Sequence, residues 1–85
     1  MLKEQVTIIS PSGIHARPAG DIVKAAGNYD CTITLAKGDK EIQAKRLISI
    51  LGLGAKQGDE ITITTDGPDE EAAMAEIKKV LLEAH

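Results

Sequence analysis

The sequence predicts a two-layer α+β domain, a mostly antiparallel sheet with helices on one face and solvent on the other. Three observations carry this. Four short segments alternate polar and apolar residues, as half-buried strands do. Three longer or denser segments repeat apolar residues at helical spacing. They follow one another as β-α-β-β-α-β-α, and strands with one wet and one buried face belong to antiparallel sheets.

Gln5-Val6-Thr7-Ile8 is the first strand. The first helix is expected from about Ala16 to Ala26, with Ala19, Ile22, Val23 and Ala26 as its apolar stripe. Gly27-Asn28 is expected to stop it through a left-handed cap. Thr32-Ile33-Thr34-Leu35 and Glu41-Ile42-Gln43-Ala44 flank Lys37-Gly38-Asp39-Lys40, a hairpin whose Gly-Asp tolerates the positive φ of a tight turn. A short middle helix covers about Arg46 to Leu53 and ends at Gly54. Glu60 to Thr64 gives the clearest strand, Ile61 and Ile63 on one face and threonines on the other. Asp66-Gly67-Pro68 then introduces the last helix. Asp69 to Glu71 place negative charge at its start and Lys78 and Lys79 lie in its second half. Its stripe is Ala73, Ile77, Val80, Leu81 and Ala84.

The 85 residues are expected to form one domain, 1–85. Apolar residues make up 42% and Tyr29 is the single aromatic, so the core must be aliphatic and alanine-filled. A net charge of −3 with no stacking aromatics argues against a nucleic-acid partner. No apolar run approaches the ~20 residues of a membrane span. Charges interrupt the N-terminus where a signal peptide needs its apolar segment, so the expected address is cytoplasmic. Cys31 has no disulfide partner and reads as a small buried hydrophobe. No Cys/His cluster could hold zinc, and neither metal nor cofactor is expected. Such a chain is short for a self-contained enzyme site and long enough to present one reactive group to larger partners.

Chemistry concentrates in Ser12-Gly13-Ile14-His15-Ala16-Arg17-Pro18. His15 falls where a loop becomes a helix, with Pro18 in the first turn, where its missing N–H costs nothing. The amides of Ala16 and Arg17 then form the start of a helix, which favours anions, and Arg17 adds a fork suited to phosphate oxygens. Gly13 allows a tight turn just upstream. An imidazole titrates near neutral pH and is a capable nucleophile there. The residue types thus place a nucleophile beside a phosphate cradle; by itself, a histidine before a helix can also serve as a cap or as plain surface. Ser12 has two readings, a turn residue or a hydrogen-bond donor near the phosphate. His85 reads as a frayed terminus.

Gly13-Ile14-His15-Ala16-Arg17-Pro18 closely resembles the active-site signature of HPr, the histidine-containing phosphocarrier family of the bacterial sugar phosphotransferase system. The resemblance covers the whole chain, including the Lys45-to-Gly58 region and the Ile61-Thr62-Ile63 strand. It implies an open-faced β-sandwich, four antiparallel strands under three helices. It implies that His15 takes a phosphoryl group on Nδ1 from Enzyme I, charged by phosphoenolpyruvate, and passes it to the EIIA component of a sugar permease. Arg17 maps onto the arginine that partners the phosphate. The chain is then a carrier and not an independent catalyst, and a monomer suits a carrier that visits two partners with one face.

Wheel arithmetic on the middle helix puts Leu47, Ile48 and Leu51 on one side and Ile50 and Leu53 on another. By resemblance the first set is the exposed docking patch for Enzyme I and EIIA; the alternative is that all five are core. Lys24, on the exposed side of the first helix, together with Arg17, Lys45 and Arg46 would form a local basic rim that steers acidic partners. Position 46 departs from many Gram-positive members, where a kinase-regulated serine heads this helix. Arg46 cannot take that phosphate, so the switch is expected to be absent, with Ser49 structural. Carriers of a nitrogen-related or dihydroxyacetone-kinase relay share the same site and stay open as alternatives, as does a regulatory interaction module. A ferredoxin-like ligand-binding domain would leave the His-Ala-Arg-Pro cluster unexplained.

Overall fold

The computed structural model describes every residue except Ser10, Ser12, His15, Ala84 and His85. Its elements are β1 (Leu2–Thr7), α1 (Ala16–Ala26), β2 (Thr32–Lys37), β3 (Lys40–Gln43), α2 (Leu47–Gly52), β4 (Glu60–Asp66) and α3 (Glu70–Glu83). The strands form one antiparallel sheet in the order β1-β4-β2-β3. The expected class, four antiparallel strands with three helices on one face, is the one observed.

Alternation fixes which side of the sheet is buried. Ile33 and Leu35 of β2 and Ile61 and Ile63 of β4 are fully buried, and Leu35 pairs with Ile63 across the two central strands. Against them pack Ile22 from α1, Ile50 from α2 and Ile77 and Leu81 from α3. The largest buried side chains are almost all Ile or Leu in one cluster, so the missing aromatics are replaced by branched aliphatics and alanines. β4 extends two residues beyond the predicted Thr64, which turns Thr65 inward. Thr65 is fully buried, and its hydroxyl donates to the Glu70 carbonyl at 3.0 Å, so burial leaves no unmet donor.

Several element ends differ from expectation. β1 begins at Leu2, not Gln5, because Lys3, Glu4 and Gln5 pair with Thr64, Ile63 and Thr62 even though all three are exposed. α1 has the predicted bounds but no left-handed cap: neither Gly27 nor Asn28 takes a positive φ. Its end tightens instead, Asn28 N–H donating to Ala25 and Tyr29 N–H to Ala26, the i→i−3 pattern that satisfies terminal carbonyls. In the β2–β3 hairpin only Gly38 has a positive φ, 59°, the pattern of a II′ turn; Asp39 stays in ordinary space. α2 is shorter than the predicted 46–53. Arg46 is its N-cap, extended at φ −120° and ψ 114°, and Leu53 is its C-cap.

Asp69 stands just before α3, not in its first turn. Its carboxylate accepts the N–H groups of Asp30 at 2.8 Å and Cys31 at 3.0 Å, tying α3 to the start of β2. Met74 joins Ala73, Ile77 and Leu81 as a buried residue of α3, while Val80 is half-buried; Ala84, the last residue of the predicted stripe, lies outside the described residues. Cys31 is buried, and burial pushes its thiol up, which suits the small hydrophobe expected there.

Candidate functional site

The site is assembled from two loops that cross the same end of the sheet. Residues 8–14 leave β1 and lead to α1; residues 53–59 leave α2 and lead to β4. Backbone bonds lace them together. Ile8 N–H donates to the Asp59 carbonyl at 2.9 Å, Gly58 N–H returns to the Ile8 carbonyl at 2.8 Å, and Ile14 N–H donates to the Ala55 carbonyl at 3.1 Å. The Gln57 side-chain amide adds a bond to the Ile9 carbonyl at 3.2 Å.

Gly13 fits the expectation placed on it. Its φ is +67°, and a Cβ there would stand 2.5 Å from the Ala55 oxygen and 2.9 Å from the Lys56 Cα. Only a residue without a side chain lets the two loops approach this closely. Ile14 is buried beside it, an apolar pin ahead of the helix.

α1 then opens at Ala16, with Ala16 and Arg17 exposed and Pro18 buried. As first helical residues, Ala16 and Arg17 have no intrahelical acceptor for their N–H groups. His15 and Ser12 lie outside the described residues, so the site is described through its flanks, Gly13–Ile14 and Ala16–Pro18. Lys24 is exposed on α1 and Arg46 is exposed at the cap of α2. Lys45 is less available than expected: its ammonium donates to the Tyr29 carbonyl at 2.8 Å, bracing the end of α1. Among the described residues the ion pairs join Met1 to Asp66 and Glu70, Lys37 to Asp59, and Lys78 to Glu4; none uses Arg17, Lys24 or Arg46. No Asp or Glu occurs in residues 5–20 or 42–58, which carry Arg17, Lys45, Arg46 and Lys56. The acids nearest to these two stretches, Glu4, Asp21, Glu41 and Asp59, stand at their ends.

α2 presents its two faces differently. Ile50 and Leu53 are buried, whereas Ile48 is 81% exposed and Leu47 and Leu51 are exposed to a lesser degree. An exposed apolar cluster beside a basic segment is the composition of a partner surface. Ile9, in the loop after β1, is also exposed, and nothing in the sequence marks it as such. Nor do the residues that brace the second loop: Asp59, whose carboxylate accepts Lys56 N–H at 2.8 Å and pairs with Lys37 at 3.1 Å, and Lys40, which donates to the Gly52 carbonyl. Long-range bonds of this kind leave no periodic trace.

The family model of the PTS HPr component phosphorylation site matches residues 2–83. The chain belongs to the HPr family. HPr from Buchnera aphidicola subsp. Acyrthosiphon pisum is 36% identical over 83 residues, covering 98% of each chain. HPr from Cupriavidus necator is 35% identical over 74 residues, covering 87% of this chain and 83% of that one. The crystal structure of HPr-C-His from Thermoanaerobacter tengcongensis superimposes with a TM-score of 0.91 at 31% identity, covering 95% of this chain and 91% of that one. HPr proteins are phosphocarriers of the phosphotransferase system, and carriers in place of independent catalysts. Among the described residues no helix is long and apolar enough to cross a membrane.

Acid should loosen this architecture. Asp59 is held below the usual carboxylate range first by the Lys56 N–H and then by Lys37, and Asp69 first by the Asp30 N–H. A carboxylate depressed in the folded state contributes fully above its unfolded value, near pH 4, and that contribution is lost as pH falls through the folded value. The expected Tm is level from about pH 7 to 5 and falls below about pH 4. Asp69→Asn should lower Tm at neutral pH and flatten the acid slope; an unchanged slope in that variant contradicts the assignment.

Proposed function

We propose that this chain is the phosphoryl carrier between Enzyme I and the EIIA component of sugar permeases, with His15 as the residue that carries the group. The observation that supports it most directly is the HPr signature lying where α1 opens, with Gly13 locked against Ala55 and Arg17 exposed in the first turn. The unprotonated nitrogen of the His15 ring, Nδ1 by family resemblance, attacks phosphorus. The bond from phosphorus to its Enzyme I carrier atom breaks, and its electron pair stays with that atom. In the second transfer a nucleophilic atom of EIIA attacks the phosphorus, the bond from phosphorus to His15 breaks, and its electron pair returns to the ring nitrogen. Arg17, the amides of Ala16 and Arg17, and Ser12 are assigned to the phosphoryl oxygens. Leu47, Ile48 and Leu51 are assigned to docking, with Lys24 and Arg46 steering acidic partners. The whole chain acts as one cytoplasmic, monomeric domain, and Arg46 removes the serine-based control of this helix.

Carriers of other relays use the same histidine, and nothing in the described geometry favours them; an interaction-only module has no use for the reactive signature. Incubation with Enzyme I and radiolabelled phosphoenolpyruvate tests the assignment. An acid-labile, base-stable label is expected, absent from His15→Ala. Arg17→Ala should slow transfer about 10²-fold, as loss of one charge-stabilising donor does, with Tm nearly unchanged because the side chain is exposed. Label that persists without His15, or a large fall in Tm without Arg17, overturns these roles.

A further inference from the structure

Two lysines at the β2–β3 turn reach away from the hairpin to the chain leaving α2. Lys40 Nζ donates to the Gly52 carbonyl. Lys37 Nζ donates to the Gly54 carbonyl at 2.9 Å and pairs with Asp59 Oδ2 at 3.1 Å. Asp59 also accepts the Lys56 N–H through its side chain and the Ile8 N–H through its carbonyl. The same segment holds Ile14 through Ala55.

α2 needs outside support. It has six residues, and isolated helices shorter than ~12 are marginal in water. Its N-cap, Arg46, makes no capping bond, its first turn has no acid and its last turn no base. Ile50 anchors one side, and the two hairpin ammonium groups bond carbonyls at and just beyond its C-terminal end. Cations at the negative end of a helix are favourable there.

We infer that Lys37 and Lys40 are positioning residues for phosphoryl transfer. They clamp the 52–59 segment, which sets the end of the docking helix and both ends of the loop that leads to His15. Neither touches the reacting atoms. Their role in transfer rests on the carrier reading above; the clamp itself does not.

The test compares wild type with the Lys37→Met, Lys40→Met double variant, which keeps the apolar stems and removes the charges. Amide exchange at Ile8, Ile14 and Leu53 should quicken about tenfold, while Ile33 and Ile63 in the central strands keep their protection. With Enzyme I, KM for this protein should rise about tenfold with kcat within about twofold, the split expected when binding through the docking helix is weakened and the chemical step is not. The rise should persist from low to high salt, and the double arginine variant should restore both readouts. Unchanged exchange in the folded double variant overturns the clamp. A KM rise confined to low salt marks lost electrostatic steering and, like faster exchange with unchanged KM, overturns the role in transfer. If the double variant fails to fold, Lys40→Met alone is read at Leu53 by the same criteria. A wild-type protein that accepts no phosphoryl group overturns the carrier reading, and the exchange measurement then decides the clamp alone.

Discussion

Gly13→Ala is expected to destabilise the protein by roughly 2–5 kcal/mol, a large share of the ~5–15 kcal/mol that such domains possess. Two costs combine. An L-residue at φ +67° gives up about 1–2 kcal/mol against the left-handed region. The new methyl would also stand 2.5 Å from the Ala55 oxygen, so the loops must part, and the Ile14 N–H bond to that same oxygen weakens or breaks. A buried amide left unmet adds about 1–3 kcal/mol. Gly20→Ala supplies the contrast: Gly20 lies inside α1 with open space around the position a methyl would take, so the same change there should stabilise by about 0.5–1 kcal/mol. Urea unfolding of the two variants checks the opposite signs. A Gly13→Ala loss below about 1 kcal/mol would show that the loops relax freely. Because the displaced loop runs into α1, transfer should also slow beyond what the population of folded protein explains.

The parts of the fold that are legible in the sequence are those where burial and chemistry coincide. α1 is legible in its bounds because Ala19, Ile22 and Ala26 are spaced for burial and Pro18 marks its first turn, though Val23 of the expected stripe is half-buried and Ala25, outside it, is buried. The inner face of β4 is legible through Ile61 and Ile63 but not through Thr65, which is as buried as they are. Threonine carries no apolar signal, and its burial depends on a carbonyl five residues away in the next helix. The start of β1 is hidden because three consecutive exposed side chains on an edge strand break the alternation, and only pairing with β4 extends it. The division of α2 into a wet and a dry face follows from residue spacing, though which face is wet comes from family resemblance. The lysine braces are invisible. Lys37 and Lys40 look like ordinary turn solubilisers until the hairpin is folded against Gly52 and Gly54, contacts that span 12 and 17 residues.

Ile48→Gln and Ile50→Ala, two residues apart on one short helix, are expected to fail in opposite ways. Ile50 is fully buried, and truncating it should cost about 2–5 kcal/mol through lost burial and the cavity left behind. Ile48 is 81% exposed, so a polar replacement should leave stability within about 0.5 kcal/mol. If the exposed face docks partners, Ile48→Gln removes an apolar anchor worth ~2 kcal/mol, raising KM with Enzyme I about 30-fold while kcat changes little. Any transfer defect of Ile50→Ala, by contrast, should shrink when conditions restore the folded population. The contrast separates docking from folding in one element, which a single variant cannot do. Ile48→Gln with unchanged KM toward both Enzyme I and EIIA would remove Leu47, Ile48 and Leu51 from the docking role. Their exposure would then have to be tolerated at a cost in solubility, with the partner contacts carried by Arg17, Lys24 and Arg46 alone. Such contacts would weaken steeply with salt, whereas an apolar anchor would not. A salt series on the wild-type protein therefore predicts the outcome before the variant is made: a KM that changes little between low and high salt requires the apolar face of α2.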